Sequence, residues 1–309
     1  MGKDAARVVN PFGTRYTRDD MQNADWLEKL IAHEAAYFGF AAEVEKTPFG
    51  WFLTGADLPD YRDANHAMRL RDEGRGAEAV AQAVISYYRS RGLPPVADVD
   101  AVAEAQGIGA ALRRRGVTPV IGNTLLMRYP SALPAEPPTP NALHTTPDTK
   151  HLNPIANALP ISNIQRPTPV SIAVVPNETG AGEAAAWVET ALAGGFDGRL
   201  PFWRRVLERE ARSLACRLYL ADCEGQHAAA CDLFEADGWA RMDNVGTRSN
   251  FRRRGIASTL VRRVIEDAQA NGNNLLYLFT EAGGDGERLY RKLGFVPWKL
   301  NPFRQHIGD

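Results

Sequence analysis

The chain has 309 residues, 44% of them hydrophobic and 24% charged, with a formal net charge of −1. That balance excludes a fibrous or wholly disordered protein, and the near-zero charge excludes any global attraction to nucleic acid or anionic lipid. Its length exceeds that of one usual compact domain, so two domains are the expectation.

From the N-terminus, Met1–Ala5 carries charge but no apolar stretch follows it, so no secretory leader is expected. No run approaches the roughly 18 apolar residues of a membrane span. Apolar residues at 26, 27, 30, 31 and 35 have helical spacing. A strand is expected over Gly50–Thr54. A second helix is expected from Gly76 to Arg91, its inner face built from Ala79, Val80, Ala83, Val84 and Tyr87. A third helix, Ile108 to Arg115, ends at Gly116, and Val117 to Met127 reads as strand.

Ten of the 20 prolines then fall between Pro130 and Pro169. Each removes a backbone donor and biases its predecessor toward extended conformations. Residues 131–168 therefore read as a linker between an N-terminal domain, 1–130, and a C-terminal domain, 169–309.

Beyond the linker, Val170 to Val175 is rich in β-branched residues and reads as strand. Ala184–Leu192 and Phe202–Ala211 have helical periodicity. Cys216–Ala221 and His227–Phe234 read as paired strands around the turn Glu224-Gly225, and Trp239–Thr247 as another strand. Ile256, Leu260, Val261, Val264, Ile265 and Ala268 trace one apolar stripe, with Arg262, Arg263, Glu266 and Asp267 outside it. Leu275–Phe279 is an unbroken apolar run of the kind found in central strands, and Glu287–Leu293 is a short last helix closed by Gly294. The three cysteines, Cys216, Cys223 and Cys231, form no CxxC and suit reduced thiols in a cytoplasmic protein. The six histidines are scattered without ligand spacing, so no metal site is expected.

Chemistry concentrates in Arg252-Arg253-Arg254-Gly255-Ile256-Ala257, between a strand and the striped helix. A helix entered directly from a strand presents unpaired amides and the positive end of its dipole, and such a terminus holds phosphate. Gly255 lets backbone approach an anion without an intervening Cβ, while the arginines add charge for phosphates.

This segment resembles motif A of the GNAT N-acetyltransferase superfamily, Q/R-x-x-G-x-G/A. Arg252 fills the first place, Gly255 the fourth and Ala257 the sixth. Further on, Leu289-Tyr290-Arg291-Lys292-Leu293-Gly294-Phe295 resembles the family's LYxxxGF segment. The resemblance covers roughly residues 170–300. It implies an α/β (α+β) fold in which a mostly antiparallel mixed sheet is flanked by helices. It also implies acetyl-coenzyme A, or another acyl-coenzyme A, as co-substrate, with no metal.

By the same resemblance, Arg252, Arg253, Arg254, Gly255, Ile256, Ala257 and Ser258 would cradle the pyrophosphate. Val245, Gly246 and Thr247 would bond the pantetheine arm through their backbone. Tyr290 would protonate the departing thiolate; a phenol of pKa about 10 can do so. Asp243 is the first choice for the base that deprotonates the amine, with Asp232 and Glu235 as others. The sequence departs from the family at Gly283, where many members carry asparagine. Asp197 in the turn Gly195–Arg199 could attract a cationic amine.

Asn65-His66-Ala67-Met68-Arg69-Leu70, Arg91-Gly92-Leu93-Pro94 and Ala111-Leu112-Arg113-Arg114-Arg115-Gly116 resemble the degenerate first half of tandem GNAT proteins. Glu104-Ala105-Gln106-Gly107-Ile108-Gly109 imitates motif A except in its first place, where a carboxylate would repel pyrophosphate; it reads as a loop and helix start. The expected function is an acyl-coenzyme A-dependent N-acyltransferase, transferring acetyl to the primary amine of a small molecule such as an amino acid derivative or antibiotic-like amine. Such a protein would be a cytoplasmic monomer or homodimer with no nucleic-acid or membrane partner. The alternatives are a non-catalytic coenzyme A-sensing module and a protein N-acetyltransferase.

Overall fold

The computed structural model describes residues 8–9, 15–16, 18–117, 119–120, 124–130, 170–175, 181–196, 200–213, 215–298 and 305–308. The expected linker, 131–168, and Asp197 lie outside the described residues. After a short ladder of β1 (Val8–Val9) with β2 (Arg15–Tyr16) come α1 (Arg18–Tyr37), β3 (Glu43–Thr47), β4 (Gly50–Thr54) and β5 (Ala67–Met68). Then follow α2 (Ala77–Arg89), β6 (Val96–Val99), α3 (Ala101–Ala105), α4 (Ile108–Arg114), β7 (Pro119–Val120) and β8 (Thr124–Tyr129). Past the proline-rich stretch are β9 (Val170–Val175), α5 (Ala181–Gly195), α6 (Leu200–Ala211), β10 (Cys216–Cys223), β11 (Gln226–Ala236) and β12 (Trp239–Thr247). The chain closes with α7 (Ile256–Ala270), β13 (Leu275–Glu281), α8 (Asp285–Lys292), β14 (Val296–Pro297) and β15 (Gln305–Gly308).

Two sheets result. One has the order β14-β8-β13-β12-β11-β10-β9 and the other β3-β4-β5-β6-β15-β7. Each is mostly antiparallel with one parallel pair, β12 with β13 in the first and β5 with β6 in the second. Both parallel pairs are joined through a helix, α7 and α2 respectively, the crossover that parallel strands require.

The sheets do not follow the order of the chain. β8 comes from the N-terminal half yet lies between β13 and β14, pairing Leu276 with Tyr129 through to Glu281 with Thr124. β15, from the extreme C-terminal part, lies between β6 and β7, pairing Gln305 with Val99 through to Gly308 with Val96. Each sheet is therefore completed by a strand of the other half. The stretch 117–127, read in the sequence as one strand, is two: β7 stays in its own sheet while β8 crosses.

The seven-stranded sheet is covered on both faces. On one, the α7 stripe of Ile256, Leu260, Val261, Val264, Ile265 and Ala268 is buried with Tyr290 and Phe295 against Leu233, Met242, Leu276 and Leu278. On the other, α5 and α6 pack beside α1, whose Leu27, Leu30, Ile31 and Tyr37 join Phe234, Trp239 and Tyr277. Apolar side chains of this size are each worth about 1.5–3 kcal/mol when fully buried, so the first helix is anchored on the distal sheet. All three cysteines are free and buried, on the neighbouring strands β10 and β11.

Candidate active site

β12 and β13 are laddered only over Trp239–Arg241 and Leu275–Tyr277; beyond Arg241 the parallel strands part. Just past that point β12 bulges. Asp232 faces Asp243 while Ala230 faces Gly246, so Cys231 stands opposite two residues, and Asn244 takes a left-handed φ of 52°. A bulge bends its strand and re-aims the side chains around it. Val245 lies in the bulge with Asn244, and Gly246 and Thr247 follow it, paired to β11 but without a ladder partner on the β13 side among the described residues. The end of α5 presses on this stretch. A Cβ on Gly194 would stand 2.6 Å from the Gly246 carbonyl carbon and 2.7 Å from the Thr247 nitrogen.

The loop from Arg248 to Gly255 turns the chain into α7. Gly255 caps the helix at φ 81°, with open space where a Cβ would be. The first bond into the helix runs from Thr259 N–H to Gly255 O at 3.1 Å, so the amides of Ile256, Ala257 and Ser258 have no acceptor inside it. The three arginines divide their work. Arg252 donates to Thr247 O and Gly194 O, both at 3.0 Å, tying the loop to the end of α5. Arg254 pairs with Glu224 at 3.0 Å and lies over the Phe251 ring. Arg253, itself left-handed at φ 66°, forms no ion pair among the described residues. Nearby, Arg248 Nε and Thr247 Oγ1 are buried with no hydrogen-bond partner. Bare amides, an unpaired guanidinium and orphaned polar atoms form the donor set that a diphosphate and an amide-bearing arm need.

Tyr290 and Asp243 flank the parted strands from opposite faces. Tyr290 is buried on α8 against Phe295; burial first, then the Asp243 and Cys231 charges, raise its phenol above the ordinary value. Asp243 is a third exposed; it accepts from Arg241 at 2.6 Å and from the Asn244 main-chain amide at 2.9 Å, and lies 3.2 Å from the Tyr37 hydroxyl. Asp232 is fully buried beneath the bulge. Glu235 is held away from it, accepting from Asn271 at 2.9 and 3.0 Å and pairing with Arg217 at 3.2 Å. Gly283 lies left-handed at φ 77° in the turn before α8, its amide donating to Glu287.

A buried polar network surrounds Asp243. Arg241 grips Glu34 with two bonds of 2.9 and 3.0 Å and lies 3.7 Å from the Tyr37 ring centre. Tyr277 donates to Glu34 at 2.7 Å and contacts His33 at 2.7 Å; burial lowers the His33 pKa to about 4, so the imidazole is neutral. Tyr37 donates to Glu210 at 2.6 Å. The Asn244 amide bridges Glu210 at 2.9 Å and Asp232 at 2.8 Å. Burial first, then the Asp243 charge, raises the Glu210 pKa to about 7; burial and Glu210 likewise push Asp232 well up. Glu210, Cys216 and Asp232 bring one donor atom each within 4.8 Å of one another. Burial pushes the Cys216 thiol far up, and both Glu210 oxygens already accept bonds, so the cluster is arranged to hold protons.

None of Glu34, Tyr37, Glu210, Arg241 and Asn244 was singled out in the sequence. Two signals were there. Glu34 falls on the buried stripe of α1 after Leu27, Leu30 and Ile31, and Arg241 and Asp243 interrupt an interior strand.

The family model for the acetyltransferase (GNAT) family matches residues 173–295. That segment resembles the family from β9 through Phe295. The fold likeness extends beyond that segment over most of the chain. A GCN5-related N-acetyltransferase from Kribbella flavida is 18% identical, with a TM-score of 0.57, over 91% of this chain and 94% of its own. A conserved protein of unknown function from Staphylococcus epidermidis is 11% identical, with a TM-score of 0.53, over 87% and 94%. No curated protein matches the sequence.

The N-terminal half repeats the layout of the C-terminal one, β5–α2–β6–α3/α4–β7 against β12–α7–β13–α8–β14. Its loop, Arg71-Asp72-Glu73-Gly74-Arg75-Gly76, has the spacing of Arg252 to Ala257 and precedes a helix capped by left-handed Gly76. The imitation expected at Glu104–Gly109 instead ends α3 and starts α4, with Gly107 as the cap of the latter. In the 71–76 loop Arg71 and the turn amides are already paired within the protein. Arg71 binds Asp100 at 2.9 Å and Glu28 at 2.8 Å, and Asp72 accepts from the Gly74 and Arg75 amides. Among the described residues, no helix is long and apolar enough to cross a membrane.

Proposed function

We propose that the protein is an acyl-coenzyme A-dependent N-acyltransferase that moves an acetyl group onto the primary amine of a small molecule. The observation that carries this reading is the α7 terminus, with its bare amides and open left-handed Gly255 at the mouth of the parted strands. Ile256, Ala257, Ser258 and Arg253 would hold the diphosphate, and Val245–Thr247 would align the pantetheine arm. The amine nitrogen would attack the thioester carbonyl directly, and positioning would supply much of the rate. Tyr290 would protonate the departing thiolate, and Asp243 would take the proton from the amine. Glu34 and the partly exposed Asp243 share one guanidinium, Arg241, an imbalance that favours a cationic acceptor.

Calorimetry with acetyl-coenzyme A tests the cradle. Gly255→Val forces a β-branched residue into a left-handed conformation, which costs about 1–2 kcal/mol, and should weaken binding about tenfold. Unchanged affinity removes the cradle from the argument. Thiol release with a panel of primary amines then tests the transfer, and absence of release with every amine rejects it.

A further inference from the structure

The Tyr37 hydroxyl has one proton and two carboxylate neighbours, Glu210 Oε1 at 2.6 Å and Asp243 Oδ2 at 3.2 Å. A phenol can donate to only one of them at a time. The second contact is a hydrogen bond only when a carboxyl carries a proton, and then the chain Glu210–Tyr37–Asp243 is continuous. Asp243 is open to the parted strands, whereas Glu210 is sealed beneath them.

We propose that Tyr37 relays the acceptor amine's proton from Asp243 to Glu210, so that a helix of the N-terminal half completes the chemistry of the C-terminal site. The proposal rests on the N-acyltransferase reading and adds to it where the proton goes. As the amine attacks, its N–H bond breaks and the proton lands on the Asp243 carboxylate. Tyr37 gives its hydroxyl proton to Glu210 and takes the one from Asp243, so both return to their starting forms and Glu210 holds the proton. After the amide leaves, Glu210 returns its proton to solvent by the reverse path, while Tyr290 regains from solvent the one it gave the thiolate. Tyr37 acts through Asp243 and touches no substrate.

The groups facing Glu210 are Tyr37 on α1, Tyr61 after β4, Cys216 on β10, Asp232 on β11, and Arg241 and Asp243 on β12. Asn244 holds Glu210 and Asp232 together. With Glu210 pushed up by burial and the Asp243 charge, and Asp232 by burial and Glu210, the relay accepts a proton only once Glu210 is ionised. Turnover should therefore rise with pH through about 7 and level off above it.

Tyr37→Phe keeps the ring over Arg241 and removes only the hydroxyl. Glu210→Gln imitates the proton-loaded acid, since its amide can donate to Tyr37 while its carbonyl accepts from Asn244. In thiol-release assays from pH 5.5 to 9, each substitution should lower kcat by roughly a hundredfold, leave KM for acetyl-coenzyme A within twofold, and abolish the limb near neutrality. If the wild type turns over and both variants keep its pH profile, the relay is wrong while the transferase reading stands. If the wild type releases no thiol with any amine, the reading beneath it fails and takes the relay with it. Should Tyr37→Phe unfold, Glu210→Gln decides alone.

Discussion

Glu210 should be visible in stability as well as in turnover. Its carboxyl has an ordinary value of 4.5 and a folded-state value raised to about 7, chiefly by burial. Below pH 4.5 both folded and unfolded chains hold the proton. Between 4.5 and 7 the folded chain holds one that the unfolded chain has lost, so stability falls as pH rises, by about 1.4 kcal/mol per unit. Over the whole interval that amounts to about 3 kcal/mol, fully present at low pH and lost by pH 8. Glu210→Gln carries no titrating proton there. Relative to wild type it should be near neutral at pH 4.5 and more stable by up to about 3 kcal/mol at pH 8. Asp232, pushed up partly by Glu210, should relax in the variant and flatten the profile further. Urea unfolding at half-unit steps across this range measures the difference directly. Two parallel profiles would mean that Glu210 is ionised in the folded protein throughout, which would refute the picture of a buried, proton-holding cluster.

Tyr290→Phe removes the proposed acid and little packing; kcat should fall roughly a hundredfold with coenzyme A affinity unchanged, and unaltered kcat at every pH would exclude the role. Arg241→Leu strands the buried Glu34 carboxylate. It should cost about 3–5 kcal/mol at pH 7 by urea unfolding, and a loss under 1 kcal/mol would show that the pair is not what holds α1 in place. Gly194→Val places a side chain against the β12 backbone; calorimetry should show weaker acetyl-coenzyme A binding, and wild-type affinity would mean that the end of α5 does not set the strand's position.

The stretch from β12 through α8 was legible because its signals are local. The six stripe residues of α7 are all buried, the boundaries of β9 and β12 are those expected, and Gly255 falls where a left-handed cap is needed. The network around Asp243 was not, because Tyr37 meets Glu210 across 173 positions and Asp243 across 206. No periodicity spans such separations. Strand pairing has the same weakness. The pattern over 117–127 announces extended chain but cannot say which sheet receives it, and β8 went to the distal one. The loop at 71–76 shows the reverse case. Its spacing matches that of 252–257, and only the partners of Arg71 and Asp72 reveal that its first arginine and turn amides are already paired.

The reciprocal placement of β8 and β15 bears on how a substrate can enter. Two lobes joined by a simple tether can swing open like a jaw, whereas here each lobe is buttoned through the other's sheet. Any wide hinge motion would have to unzip a row of main-chain bonds on both sides at once. In the proposed reaction, substrate would therefore enter and leave through small movements around the parted strands rather than through a hinge.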